Sequence, residues 1–346
     1  MQTAVIYEYS KNPDKFIIET FLKKPAIKPT EVLIKNMAAS VNPIDILKRQ
    51  GYGKKLFERI RPLKFPYILG CDGAGVVEAV GNKVSEFNVG DEVYYAVVAS
   101  QPGTYTEYIA VESKQVSLKP NNLNFVEAAS IPYVALTTWA ALVTKAKLDP
   151  CKAMGKKILV HGGSGGVGSF AIQLLKSWGC FVATTCSTKN YDFVKSLGAD
   201  IVIDYTKETF NQKISDFDIV FDTVGSKTQG MEEKSISILK KNKSSCYVTI
   251  VHPIMRNFDQ YGLIVGMIVN VFQGFKKSIR YRKIRYKWAL YKPNSAAFKT
   301  VTPLIQQEKI KPVIDRLFRL EEVAEAHAYM SHQRLRGKVI LTINET

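Results

Sequence analysis

Apolar and polar positions alternate in short runs over the first third of the chain. "TAVIYEY" starts at Thr3, "EVLIKNMAASV" at Glu31, "GVVEAVG" at Gly75, "DEVYYAVV" at Asp91 and "TYTEYIAV" at Thr104. Gly, Pro and Asn separate the runs, which is the pattern of short strands joined by turns. Residues 1–125 therefore read as a compact, mostly antiparallel, barrel-like β domain.

The rhythm changes after residue 125. "VEAASIPYVALTTWAALV" has helical character, "KILVH" ends a strand at His161, and a helix follows at once. Val167, Phe170, Ala171, Leu174, Leu175 and Trp178 fall at i, i+3, i+4, i+7, i+8 and i+11, and Gly179 closes the stripe. "FVATTC", "IVID", "DIVFDTV" and "CYVTIV" supply further apolar strands. Such alternation predicts an α/β fold, a Rossmann-type doubly wound parallel sheet with helices on both faces. The tail reads helix ("AAFKTVTPLIQQ"), strand ("PVIDRLF"), helix ("LEEVAEAHAYM") and strand ("GKVILTI"), and is expected to return to the first domain. The expected division is 1–125 plus 296–346 for the β domain, with 126–295 inserted in it.

A glycine run joins that strand to that helix. Gly163, Ser164, Gly165, Gly166, Val167 and Gly168 form a G-x-G-x-x-G in strand–turn–helix context. Gly163 is expected at the tight turn, Gly165 where a pyrophosphate approaches, and Gly168 where helix packs on strand. The free N–H groups and dipole of the helix N-terminus hold an anion there. At the end of the next strand an NAD site wants an acid. The chain has Cys186, Ser187, Thr188, Lys189 and Asn190 instead, and no acid before Asp192. A hydroxyl and a cation suit a 2′-phosphate, with Tyr205 closing the same pocket, so the cofactor is read as NADPH.

Cys71 and Asp72 are metal-ligand types, but catalytic zinc needs three protein ligands. All four histidines (His161, His252, His327, His332) lie beyond residue 160. The site is read as metal-free and Cys71 as a small core residue. Without a Lewis acid, the hydride acceptor should delocalise its own charge, as quinones and conjugated enones do.

"GKKILVHGGSGGVGSFAIQLLK" resembles the quinone-oxidoreductase signature of the zinc-free medium-chain dehydrogenase/reductase family. "ASVNPIDILKRQGYG", "SIPYVALTTWAAL", "SLGADIVIDY", "CYVTIVHP" and "KIKPVIDRLF" extend the resemblance over nearly the whole chain. It implies a GroES-like first domain. Zinc-dependent members have a ligand cysteine where this chain has Asn42, and Gly-His-Glu in place of Gly70-Cys71-Asp72. The resemblance places Asn42, Asp45 and Tyr52 at the substrate, and Thr137, Thr138, Val248, Thr249 and Val251 at the nicotinamide. Asn42 can donate an N–H, Asp45 can orient its neighbours, and Tyr52 is either an acid or a packing aromatic. The same resemblance implies a mitochondrial enzyme linked to ubiquinone metabolism, a reticulon-type protein partner and a homodimer. No Arg-rich presequence precedes the first strand, which leaves the cytoplasm as the alternative location. A ketone or aldehyde reductase, or an NADPH-binding interaction protein with little turnover, are the alternative functions.

Composition adds two constraints. Five cysteines without C-x-x-C spacing argue for a reducing compartment. The formal charge of +17 calls for an anionic surrounding. No nucleic-acid motif accompanies it, and nucleic acid is set aside. The charge gathers after an apolar run: "YGLIVGMIVNVFQGF" (261–275) precedes "KKSIRYRKIRYK" (276–287). The apolar run is too short to span a bilayer. A helix over 276–291 would put Lys276, Arg280, Lys283 and Lys287 on one face and Tyr281, Ile284, Trp288 and Tyr291 on another. That is the layout of an interfacial helix on an anionic membrane, with a buried lid or a subunit contact as the alternatives.

Overall fold

In the computed structural model, which describes residues 1–60, 64–98, 100–225, 230–332 and 335–344, the chain forms two units. The first comprises 1–133, 293–306 and 312–346, and the second 134–292 with 307–311. The sequence reading ended the first unit at 125. The structure keeps the next residues with it because helix Phe125–Ala129 packs on its strands and Tyr133 N–H bonds Asp72 at 2.8 Å. Residues 307–311 belong to the second unit, where the Gln173 amide binds both the N–H and the C=O of Lys311 (2.8 and 3.1 Å).

The first unit contains β1 (Thr3–Ile6), β2 (Ile17–Glu19), β3 (Glu31–Val41), β4 (Tyr67–Ile68), β5 (Asp72–Val80), β6 (Glu92–Ala96), β7 (Tyr108–Glu112) and β8 (Val116–Leu118). The second contains β9 (Lys157–His161), β10 (Phe181–Cys186), β11 (Ile201–Asp204), β12 (Ile219–Asp222), β13 (Cys246–Thr249) and β14 (Arg285–Trp288). The tail returns β15 (Ile314–Arg319) and β16 (Lys338–Thr342) to the first.

The large sheet of the first unit runs β15-β16-β3-β5-β6-β8, with β7 also on β3, and a small sheet runs β2-β1-β4. All these pairs are antiparallel except β15 with β16. β3 is buried at every position but Lys35, since strands flank it on both sides, so it reads as an apolar run more than an alternation. Val32, Ile34, Val77, Val93 and Ile109 pack on one side of the unit. Val41, Leu69, Tyr105, Val339 and Leu341 make a second cluster with Ala326 of helix Val323–His332.

The second unit is a six-stranded parallel sheet in the order β11-β10-β9-β12-β13-β14, the doubly wound arrangement. Helix Gly166–Ser177 follows β9 and buries Phe170, Ala171, Leu174 and Leu175, with Val167 and Trp178 partly buried. Gly179 ends it at φ +74°. One sequence expectation fails here. The helix is Leu263–Arg280, and 276–291 is not helical as a whole: the chain turns after Arg280 and enters β14. Ile284, Tyr286 and Trp288 alternate with Arg285 and Lys287, a period of two that suits an edge strand. Ile284 is buried, and Tyr286 stacks on Tyr247 at 5.1 Å with its hydroxyl on Glu232.

Two histidines are buried neutral. His161 lies between the Thr185 and Ser235 hydroxyls (3.1 and 2.9 Å), and burial pushes its pKa down to about 4. His327 meets Tyr105 Oη at 3.2 Å, and burial, then Arg49, push it down to about 3. An unfolded chain protonates both near pH 6.5, so their stabilisation is present above that pH and is lost as pH falls towards 4 and 3. Between pH 6.5 and 5 each costs about 2 kcal/mol. Denaturant midpoints should fall over that interval, and His327→Gln should flatten the fall for the first unit. A flat wild-type profile would contradict the burial.

Candidate active site

Three strands of the first unit bring four polar side chains together. Register pairs Ser40 of β3 with Leu341's neighbour Ile340 of β16, and Val41 with Val339, which sets Lys338 beside Asn42. On the other flank Ala39 pairs with Gly73, which sets Ser40 beside Asp72. Asn42 caps helix Pro43–Arg49, and its backbone N–H donates to Asp45 Oδ2 at 2.9 Å. Its amide Nδ2 donates to Asp72 Oδ1 at 2.8 Å and to Ser40 Oγ at 3.2 Å, and its Oδ1 accepts from the Lys338 ammonium. Ser40 Oγ also donates to Asp72, and Tyr133 N–H donates to its other oxygen. Burial raises the Asp72 pKa against Lys338 and these donors, and burial lowers that of Lys338 against Asp72, Asp45 and Cys71.

Asp45 is the hub of an adjoining cluster. It accepts from the Cys71 thiol (3.1 Å) and from Tyr105 Oη (3.3 Å). Lys48 is buried over the Tyr67 ring at 5.2 Å. Burial works against its charge, but Cys71, Tyr67 and Asp45 together push its pKa up. Asn42 and Asp45 are thus buried and engaged, suited to position other groups, whereas Tyr52 is half-buried just past the helix, its N–H on Leu47 C=O at 2.9 Å.

Zinc does not fit these residues. Among the described residues no three His, Cys, Asp or Glu side chains gather as ligands. Cys71 is buried with its thiol donating to Asp45, and burial followed by Asp45 holds its pKa well above the ordinary range. Positive charge is supplied here by two ammonium groups, Lys48 beside Asp45 and Lys338 beside Asp72.

In the second unit the turn after β9 is built for close approach. The residue with positive φ is Gly162 (+74°), so the tight turn belongs there and not, as the motif implied, to Gly163. Gly163 is small for another reason: a Cβ would lie 2.1 Å from Thr184 Oγ1. A Cβ on Gly168 would lie 2.2 Å from Gly162 O, which is the helix-to-turn packing expected of it. A Cβ on Gly165 meets only Gly162 O, at 3.6 Å, so the N-cap of helix Gly166–Ser177 opens onto free space. A dinucleotide fits this cradle: phosphate oxygens would take the N-terminal N–H groups of the helix.

The remaining cofactor candidates divide. Ser187 and Lys189 follow β10 and Tyr205 follows β11, with Tyr205 N–H on Cys186 C=O at 3.1 Å, so the structure brings the three to one sheet end. Asp204 lies there too. Its oxygens are taken by Thr188 and by Thr206, which hold its pKa down, and Lys207 is 3.9 Å away. Thr137 and Thr138 are buried, and among the described residues neither hydroxyl has a hydrogen-bond partner. Thr249 and Val251 line a pocket of about 290 Å³ with Tyr247 and Trp288, whereas Val248 is in the core. Sequence reasoning missed Gly162 and Lys338, weighed Asp72 only as a metal ligand, and gave no role to Asn190, whose amide donates to Ser164 Oγ at 3.0 Å. A Gly pair ahead of the motif and a lysine opening an apolar strand were the available signals for Gly162 and Lys338.

Comparison with known proteins agrees with this geometry. Residues 28–121 match the alcohol dehydrogenase GroES-like domain, and 197–341 match the zinc-binding dehydrogenase family. The mouse (Mus musculus) protein "NAD(P)H oxidoreductase RTN4IP1, mitochondrial" is 37% identical over 356 residues, 99% of this chain and 89% of its own. The tomato (Solanum lycopersicum) 2-methylene-furan-3-one reductase is 37% identical, covering 95% of this chain and 76% of its own. The quinone oxidoreductase from Coxiella burnetii superposes with a TM-score of 0.81 at 29% identity over 99% of both chains. Doubly wound sheet, glycine cradle and full-length relatives together assign this chain to the medium-chain dehydrogenase/reductase family, as an NAD(P)H oxidoreductase of the quinone oxidoreductase type.

Proposed function

We propose that the protein is an NADPH-dependent, zinc-independent oxidoreductase that reduces quinones or conjugated enones, in mitochondria and in ubiquinone metabolism. The observation that carries the reading is the glycine cradle with Ser187, Lys189 and Tyr205 at the adjacent sheet end. The relatives support it. One is named as mitochondrial, one for an enone substrate, and a full-length structural neighbour is a quinone oxidoreductase. Bound NADPH would supply the hydride. Lys189 and Ser187 would take the 2′-phosphate, and Thr137 and Thr138 would offer their buried hydroxyls to the nicotinamide amide. Hydride addition sends an electron pair to the acceptor oxygen, which needs a proton. Tyr52, the one of the three acceptor residues that is not buried, would donate it, while Asn42 and Asp45 hold the helix start before it.

NADPH oxidation stimulated by a water-soluble quinone or enone tests the proposal. A charge-assisted bond is worth about 1.5–3 kcal/mol, so NADPH should bind at least about tenfold more tightly than NADH. Tyr52→Phe should lower kcat by about 10²-fold and leave the NADPH Kd within about twofold. Equal affinities for the two cofactors would refute the 2′-phosphate site. NADPH binding without stimulated oxidation would make the chain a binding protein.

A further inference from the structure

Helix Leu263–Arg280 of the second unit has its polarity reversed. Its inner side is small and polar: a Cβ on Gly266 would lie 2.8 Å from Asn257 O, Asn270 Oδ1 and Gln273 Oε1 accept from Asn257 Nδ2 (2.7 and 3.0 Å), and Lys277 pairs with Glu232. Its outer side is apolar. Ile264, Ile268, Val271, Phe272, Phe275 and Ile279 recur at helical spacing, each 58–79% exposed. A soluble helix orders its faces the other way, and contiguous apolar surface of this kind marks an interaction site.

Charge identifies the occupant. Residues 260–307 hold nine Lys or Arg and no Asp or Glu. Lys276, Arg282, Lys283 and Lys287 are exposed at or just beyond the helix C-terminus, where Arg280 is exposed too but pairs with Glu233 at 3.0 Å. A second copy docked helix to helix would find no acid in this stretch to meet those cations. A bilayer with anionic headgroups provides both an apolar layer and negative charge, and a single convex helix needs no complementary hollow. The bonds of the inner side to Asn257 and Glu232 hold the helix to its unit, which fits it to lie in the interface and not to cross it.

We infer that helix 263–280 and the basic segment after it dock the protein on an anionic lipid bilayer, with the helix parallel to the surface. The inference stands on this helix and is independent of what the enzyme reduces.

The test is flotation of the full chain with phosphatidylcholine vesicles, with and without phosphatidylglycerol. The anionic vesicles should bind at least about tenfold more tightly, and high salt should weaken them. Ile268→Ser/Phe272→Ser/Phe275→Ser should lose about tenfold or more of that binding with an unchanged melting curve. Arg282→Gln/Lys283→Gln/Lys287→Gln should remove the preference for anionic lipid. Failure to float with anionic vesicles at low salt overturns the inference, as does equal flotation of the apolar triple variant. If that variant instead splits a wild-type dimer and still floats, the face belongs to a second copy.

Discussion

Gly168→Val should abolish NADPH binding and destabilise the second unit by more than about 4 kcal/mol, the range reserved for severe overpacking. The Cβ alone would stand 2.2 Å from Gly162 O and 2.8 Å from Gly163 Cα, both backbone atoms. The turn cannot retreat. Gly163 is pressed against Thr184, and its N–H is bound to Thr185 C=O at 3.0 Å. Gly165→Ala is the informative partner, because its methyl would meet only Gly162 O at 3.6 Å. The fold should tolerate it, with a melting temperature near wild type, while NADPH affinity falls at least about tenfold as the methyl occupies the side a pyrophosphate approaches. Thermal melts with fluorescence titration of NADPH separate the two effects. Wild-type affinity in Gly165→Ala would place the diphosphate elsewhere, and a stable Gly168→Val would contradict the packing.

What was legible in advance was local. The stripe from Val167 to Trp178 and the glycine loop before it are spacings within one short stretch, and both are where the periodicity put them. The strand–helix alternation was sufficient for a parallel sheet, since crossover helices must cover both faces. The helix expected over 276–291 failed because basic residues fall at helical spacing by chance, while the alternation of Ile284, Tyr286 and Trp288 was overlooked. Gly162 was missed because the motif begins one residue later, yet the left-handed φ is its own. A lysine opening the apolar strand "KVILT" marked Lys338 as unusual, but nothing local gave its partner. It reaches Asn42 only because β16 pairs with β3 in one register, across 296 residues of chain.

That lysine gives the other large expected effect. Lys338→Met leaves Asn42 Oδ1 without its donor and takes from Asp72 the positive charge that works against the burial of its carboxylate. Asp72 is fully buried and joined to Lys338 through Asn42, which bonds both, and leaving such a buried charge uncompensated costs about 3–5 kcal/mol. The first unit should therefore be destabilised by about 3 kcal/mol at pH 7. The sign of the pH dependence follows from Asp72. Burial already raises its folded pKa, and losing Lys338 raises it further. The folded variant then binds a proton more tightly than the unfolded chain, so the difference from wild type shrinks as pH falls through the raised pKa. Comparing variant with wild type at each pH cancels the histidine contribution common to both. Asp72→Asn in the Lys338→Met background removes the stranded charge and should recover at least half of the loss. A Lys338→Met protein as stable as wild type at pH 7, or a double variant no better than the single, would show that Lys338 and Asp72 are not coupled.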